Sequence, residues 1–413
     1  MISPDTSPEE PPDSEPPGNI VPVGSVRRSW EALYRYAAAE EFSGYDPYDA
    51  LNARLPWKHM GKWIPIFATQ LHKRNPINLR PLLGIGKARN PKGIGLFLSA
   101  LCMRYRQQRD ETLEQAIRAL YNWLLDNASP GYSGPCWGYP FSWYSPARIV
   151  PAGTPSLVST ASVSRGLFEY HKTFADDETP AILRRICDFV LNDVAVTETD
   201  DGMCFSYTPV VKECCYNASL MGAEILARAH ALNGGEELRQ KVERAAAFVV
   251  SKQKLDGRWN YSFDLSNRRE RRQVDFHQGF VLVSLADIIR DARLEDDCCR
   301  QAIATGAAFY RHAQFFENGR AKWRLPHTSP ADIHHQAQGI ITFTRLADLD
   351  PDYLPFATRI ADYTIRQMQD GKGYFYYRKY RIFTNKISYM RWGQAWMLYA
   401  LGCLLERLES KSR

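Results

Sequence analysis

Two short stretches of the chain set an acid beside an imidazole: Asp275-Phe276-His277 and Asp332-Ile333-His334, the second continued by His335. Aspartate and histidine are the side chains most often used to move protons near neutral pH. In both stretches the polar residues lead directly into an apolar run, Phe280 to Leu285 and Gly339 to Phe343. That is the pattern of a buried helix with a polar first turn. Residues two apart on a helix diverge, so the expected pairing is between neighbouring helices, such as Asp275 with His334. Two chemistries are open. Glycoside hydrolysis needs two carboxyl groups flanking the bond, which Asp275 and Asp332 can supply. Epimerisation or elimination needs a base for the proton next to a carboxylate and a cation on that carboxylate, which His277 or Tyr389 with Arg391 can supply. The plainer reading makes both aspartates helix N-caps and both histidines hydrogen-bonded core groups. HxxxH spacing is missing around His277, His334 and His335, so no metal and no cofactor is expected.

These residues need helices to hold them, and the chain supplies a repeat. Residues 27–41 read as an amphipathic helix. Residues 62–83 contain three prolines and support at most one short helix before Asn75-Pro76. From residue 90 onward, apolar helices opening near 91, 155, 217, 275, 332 and 389 alternate with amphipathic ones at 111–126, 180–194, 236–253, 295–314 and 352–369. Asp/Asn-Gly pairs mark the loops, with glycines at 202, 257, 319 and 371. The gaps are 257−202 = 55, 319−257 = 62 and 371−319 = 52. A period of this size is one helical hairpin plus a loop, and such units bury their faces against their neighbours. With 27–41 as a sixth outer helix, the expected fold is all-α: a closed (α/α)6 toroid spanning residues 26–413.

The long loops carry most of the aromatic residues. Trp137, Tyr139, Trp143, Trp259, Tyr374, Tyr376 and Trp392 lie in or beside them, and Asn217 opens an inner helix. Either these rings stack on sugar rings, with polar groups reading hydroxyls, or they pack the loops onto the ring. Six helix N-termini facing one cavity concentrate free N–H groups and positive dipole ends. Arg391 in a first turn, with Arg148 and Arg324 in adjoining loops, adds cations. The combination suits a carboxylate- or phosphate-bearing ligand.

A resemblance follows from this pattern. Over roughly residues 90–409 the chain resembles the six-hairpin α/α-toroid proteins: glycoside hydrolases, polysaccharide lyases, sugar epimerases, and the terpenoid-cyclase and prenyltransferase group. Phe248-Val249-Val250-Ser251-Lys252-Gln253-Lys254-Leu255-Asp256-Gly257-Arg258-Trp259 resembles the repeat motif of triterpene cyclases, and Gln367-Met368-Gln369-Asp370-Gly371 is a weaker copy. The resemblance implies that the Gln and the aromatic tie one hairpin to the next. The acidic DxDD-type motif of the cyclases is absent. The segments WGYPFSW (137–143), DFHQGF (275–280) and YMRWGQAW (389–396) are similar to bacterial and archaeal proteins of surface-polysaccharide biosynthesis, related to the C-terminal toroid of glucuronyl C5-epimerases.

Composition bounds the rest. The 413 residues carry a net charge of +6, and no long Lys/Arg block points to nucleic acid. The nine cysteines are odd in number and lack CxxC spacing, which suits a reducing, cytoplasmic setting. No apolar run reaches the ~18 residues of a membrane span. Residues 1–25, rich in Pro, Ser, Asp and Glu, are expected to be disordered. The expected function is a carbohydrate-active enzyme in polysaccharide biosynthesis, acting on an acidic, uronate-containing polysaccharide or oligosaccharide or its precursor by C5 epimerisation, lyase or hydrolase chemistry. The alternatives are a glycan-binding or scaffolding toroid and a cyclase or prenyltransferase relative. Oligomeric state is not legible.

Overall fold

The computed structural model describes residues 21–55, 57, 60–145 and 149–410. The expected tail up to residue 20 and the loop cation Arg148 lie outside them. Helix α1 spans Val23–Ala39, so residues 23–25, expected to belong to the tail, form its first turn. A short helix, α2, follows at Trp63–Arg74. The remaining helices come in hairpins: α3 (Pro91–Gln107) with α4 (Glu111–Asp126), α5 (Leu157–Phe174) with α6 (Glu178–Asp188), and α7 (Tyr216–Asn233) with α8 (Glu236–Ser251). Then come α9 (His277–Ala292) with α10 (Asp297–Gln314), and α11 (Ile333–Arg345) with α12 (Tyr353–Met368). Last are a π turn at Met390–Ala395 and α13 (Trp396–Ser410).

Helix α3 packs on α5, α5 on α7, α7 on α9, α9 on α11, α11 on α13, and α13 back on α3. This closes an inner ring of six. Helices α4, α6, α8, α10 and α12 pack outside it, and α1 fills the last outer place against α12 and α13. The expected (α/α)6 toroid is the fold observed. Inner helices are apolar nearly all round because they are buried on both sides. Pro91 to Tyr105 are all buried in α3, and so are Tyr216 to Ala229 in α7. Outer helices bury one stripe, as Leu113, Ile117, Leu120, Tyr121 and Leu124 do in α4. Local chemistry sets the helix starts. Asn90 caps α3 through Lys92 N at 3.1 Å, with Pro91 at N1 where its missing N–H costs nothing. Ser156 and Asp296 cap α5 and α10 in the same way.

Each long loop presses a glycine on the next outer helix. A Cβ on Gly202, Gly257, Gly319 or Gly373 would fall inside contact distance of a backbone carbonyl of α8, α10, α12 or α1 respectively. All four adopt positive φ, from 90° to 134°, which favours glycine. The last of them corrects the sequence alignment: the structural counterpart of Gly257 is Gly373, while Gly371 meets nothing within 4 Å. The Gln tie is as the cyclase motif implies. Gln253 Nε2 donates to Gly257 O at 3.0 Å and to Ala302 O of α10 at 2.9 Å. Gln369 Nε2 donates to Gly373 O at 2.9 Å and to Ser29 O of α1 at 3.2 Å, which closes the ring.

The interior between α5, α7 and α9 is filled by charged side chains. Arg165, Glu224 and Asp287 form a buried ionic group, with Arg165 Nη2 donating to Glu224 Oε2 at 2.6 Å and Arg228 paired to the same carboxylate. Cavities open where inner helices begin: Asn90, Gly93 and Arg391 line one, and Asn217 and His277 another.

Candidate functional site

Asp275 sits just before α9, outside the helix, and this changes its partner. Phe276 between them is helical, but the Asp275 side chain folds over the helix start to take His277 N, and this turn brings the i,i+2 pair together. His277 Nδ1 lies 2.5 Å from Asp275 Oδ1, and His277 N donates to the same oxygen at 3.2 Å. The expected pairing of Asp275 with His334 is replaced by this local one. Asp275 is 3% exposed and also accepts from Gln273 Nε2 at 2.8 Å, with Arg324 Nε at 3.5 Å. Burial alone would raise its pKa, but the His277 imidazole and Arg324 outweigh that and hold the carboxyl well below the usual range. The carboxylate orients the ring and leaves Nε2 as the reactive edge. His277, Asn217, Tyr216, Tyr261 and Gln278 line one shallow pocket, and Tyr261 packs edge-on to His277 at 4.7 Å.

Asp332 caps α11 through His334 N at 3.0 Å. Its register partner in the small sheet is Arg378, whose Nε donates to Asp332 Oδ2 at 2.6 Å, and Trp392 Nε1 donates to Oδ1 at 3.1 Å. Both carboxylate oxygens are thus engaged, in the capping role that the plainer reading assigned. His334 is buried and stacks on Trp392 at 4.4 Å, with Nδ1 3.1 Å from Trp392 O. Burial, with the nearby Lys92 ammonium, pushes its pKa well below that of an ordinary imidazole, so the ring is neutral and Nδ1–H donates to the carbonyl. His277 and His334 share a neighbour: Phe276 contacts the first ring at 4.3 Å and the second at 4.7 Å. His335 stacks on Tyr310 at 5.8 Å and meets Phe276 edge-on at 6.2 Å.

Lys92 was missed in the sequence. It stands in the first turn of α3, 4% exposed. Its ammonium lies over Phe280 at 5.8 Å and Trp396 at 5.2 Å. Burial first, and Arg391 second, lower its pKa well below that of an ordinary lysine. The available signal was a charge in the first turn of an inner helix with no other charged residue before Arg104.

Arg391 is not a free clamp. Its Nε and Nη2 donate to the two oxygens of Asp46 at 2.5 and 2.8 Å, and all of this is buried. The N-terminal segment thus already supplies the carboxylate that a substrate was expected to bring. Tyr389 is fully buried, edge-on to Tyr377 at 4.8 Å and under Arg80 at 4.8 Å. Burial pushes its phenol up to about 12. Arg80 is held by Asp49 at 2.6 Å. Nothing in the type or spacing of Asp46 and Asp49, between Tyr45 and Leu51, marks them as partners of Arg391 and Arg80.

The aromatic candidates divide. Trp137 and Trp259 are buried and donate Nε1 to Leu124 O and Val249 O, both at 2.8 Å, so each fastens a loop to an outer helix. Tyr374 and Tyr376 lie at the outer seam: Tyr374 packs on Tyr36 of α1 at 5.0 Å, and Tyr376 donates to Asp370 at 2.9 Å. Tyr139 and Trp143 are half-buried, Tyr139 stacked on Phe141 and Trp143 edge-on to Tyr207. The structure thus brings together His277, His334, Asn217 and Trp392 with Lys92 and Tyr261. Tyr374 and Tyr376 stand apart from them, and Tyr389 is sealed. Among the described residues, no three His, Cys, Asp or Glu side chains group to hold a metal ion.

No protein-family model and no curated protein matches the chain. Solved structures do. A cellobiose 2-epimerase from Bacillus thermoamylovorans superposes with a TM-score of 0.68 at 14% identity, over 94% of this chain and 99% of that one. An α-mannanase from Bacteroides thetaiotaomicron gives 0.62 at 10%, over 94% and 100%. An unsaturated glucuronyl hydrolase from Streptococcus agalactiae gives 0.61 at 12%, over 95% and 93%. At these identities the likeness is one of fold: the chain has the (α/α)6 toroid shared by these sugar-processing proteins.

Proposed function

We propose that the chain is a carbohydrate-active enzyme of polysaccharide biosynthesis that removes the proton next to the carboxylate of a uronate-bearing glycan. The observation that carries this reading is the pair of imidazoles bracketing Phe276. His277 is oriented by a buried carboxylate, and His334 is kept neutral by burial. In C5 epimerisation, His277 Nε2 takes the C5 proton, and the electron pair of the C–H bond moves into the carboxylate. The opposite face takes a proton from water, because the single N–H of neutral His334 is held by Trp392 O; the unprotonated Nε2 of His334 can only accept a hydrogen bond there. Arg324 supplies the positive charge that the enediolate needs. Lyase chemistry shares the first step and ends by expelling the C4 substituent. Two-carboxylate hydrolysis has less support, because the capping, Arg378 and Trp392 occupy Asp332. The sugar-acting names of the fold neighbours favour a carbohydrate substrate, and one is a sugar epimerase. A cytoplasmic setting and the kinship to glucuronyl C5-epimerases belong to the same proposal and rest on the sequence, as does a single toroid domain, its start moved from residue 26 to the first turn of α1.

The second reading, a glycan-binding toroid, draws on the two aspartates being spent on local structure. Incubation with uronate polysaccharides and oligosaccharides in deuterated water separates the readings. Deuterium at C5 supports proton abstraction. New reducing ends without deuterium mean hydrolysis, and tight binding with unchanged glycan means a binding module.

A further inference from the structure

Helix α2 is inside out. It buries Pro65, Ala68, Thr69 and His72 and turns its large apolar residues to solvent. Trp63 is 69% exposed and Phe67 68%, with Ile64 and Leu71 beside them. At i, i+4 and i+8, Trp63, Phe67 and Leu71 form one stripe. Of the fifteen large hydrophobic side chains exposed among the described residues, eight fall within 55–82, so the exposure is concentrated rather than scattered. The hairpin Arg378–Lys379 to Thr384–Asn385 extends the patch. Asn385 Nδ2 donates to Asn75 O at 3.2 Å, at the end of α2, and the hairpin tip exposes Ile382 and Phe383.

Charge decides what such a face fits. Residues 51–90 contain eight Lys or Arg and no Asp or Glu, and residues 371–405 contain six and again no acid; Arg80, Arg378 and Arg391 among them are spent in buried ion pairs, while Arg381 and Lys386 are exposed. Arg54, Lys62 and Arg74 are exposed beside the apolar stripe. Aromatic and aliphatic side chains set among cations, with acids excluded, match the interface of an anionic bilayer, where apolar groups enter the acyl boundary and Lys/Arg meet the headgroups. We propose that α2 and the 378–385 hairpin dock the protein peripherally on an anionic membrane surface. No helix of the described residues is long and apolar enough to cross a membrane, so the contact is interfacial. Lys73 of α2 pairs with Tyr48 and lies over Trp392 at 5.5 Å, so docking sets the candidate site next to the surface. The proposal stands whether or not the site is catalytic.

The test is co-sedimentation of the full chain with phosphatidylcholine vesicles and with phosphatidylcholine–phosphatidylglycerol vesicles. Binding to the anionic vesicles only, weakened by salt, is expected. Trp63→Ser with Phe67→Ser lowers the affinity by ~10-fold or more, and Lys62→Ala by about 5-fold. All three positions are exposed, so circular dichroism and Tm stay unchanged. Equal binding to both vesicle types, or none, overturns the proposal. So does a chain that sediments as a dimer and becomes monomeric in the Trp63/Phe67 variant without ever binding vesicles, because the patch then belongs to a second copy.

Discussion

The Asp275 carboxylate holds His277 Nδ1 at 2.5 Å across a single intervening residue, and the contact exists because Asp275 stands outside the helix that His277 begins. A buried carboxylate behind an imidazole selects the tautomer and stabilises the imidazolium formed when the ring takes a proton. Asp275→Asn keeps the shape and removes the charge. Deuterium exchange at C5 should fall by roughly 10²–10⁴-fold, while glycan affinity measured by calorimetry changes little. Unchanged exchange would remove His277 from the base role.

Acid stability should report the buried histidines. Burial lowers the His335 pKa to about 4, against ~6.5 in an unfolded chain. Between those values the unfolded state binds a proton that the native state refuses. The stability is therefore complete above about pH 6.5 and is lost as pH falls towards 4, up to about 3 kcal/mol in all. His334 is shifted the same way. Asp275 acts in a lower window: its depressed pKa lends stability above ~3.9, lost only at more acid pH. Tm measured from pH 7 to 4 should fall, and His335→Phe, stacking on Tyr310 in the same way, should flatten the curve.

Arg391 and Asp46 make a buried bidentate pair. Removing one partner strands the other charge, so Asp46→Ala should cost about 3–5 kcal/mol by urea unfolding. The double change Asp46→Leu with Arg391→Met should cost less than Asp46→Ala alone. An additive double variant would mean that the two residues act separately.

The hairpin glycines give a test of register. Gly257 has φ 90° and no room for a Cβ, so Gly257→Ala should destabilise by about 1–3 kcal/mol. Gly371 also follows an aspartate, but it has open space around it, and Gly371→Ala should stay within about 1 kcal/mol of the parent. Thermal unfolding of both variants checks the assignment of Gly373 as the true counterpart.

The sequence by itself determined the ring. Helical periodicity, the near-regular spacing of loop glycines and helices apolar all round are local properties. A hairpin with two apolar faces can bury them only against further hairpins, so Pro91, Ser156 and Asn217 mark inner-helix starts without any knowledge of contacts. The sequence also singled out Asp275, His277 and His334 by type and placement. Partner choice was decided by tertiary structure. That Arg391 is met by Asp46, 345 residues away, follows from α1 closing the ring and laying residues 44–52 across the mouth. That Asp332 faces Arg378 follows from a two-residue strand register. Trp137 and Trp259 look the same in sequence as Trp143, yet the first two reach carbonyls of outer helices while Trp143 packs edge-on to Tyr207. Side-chain type limits what a group can do, but what stands opposite it after folding decides whether it is free to act.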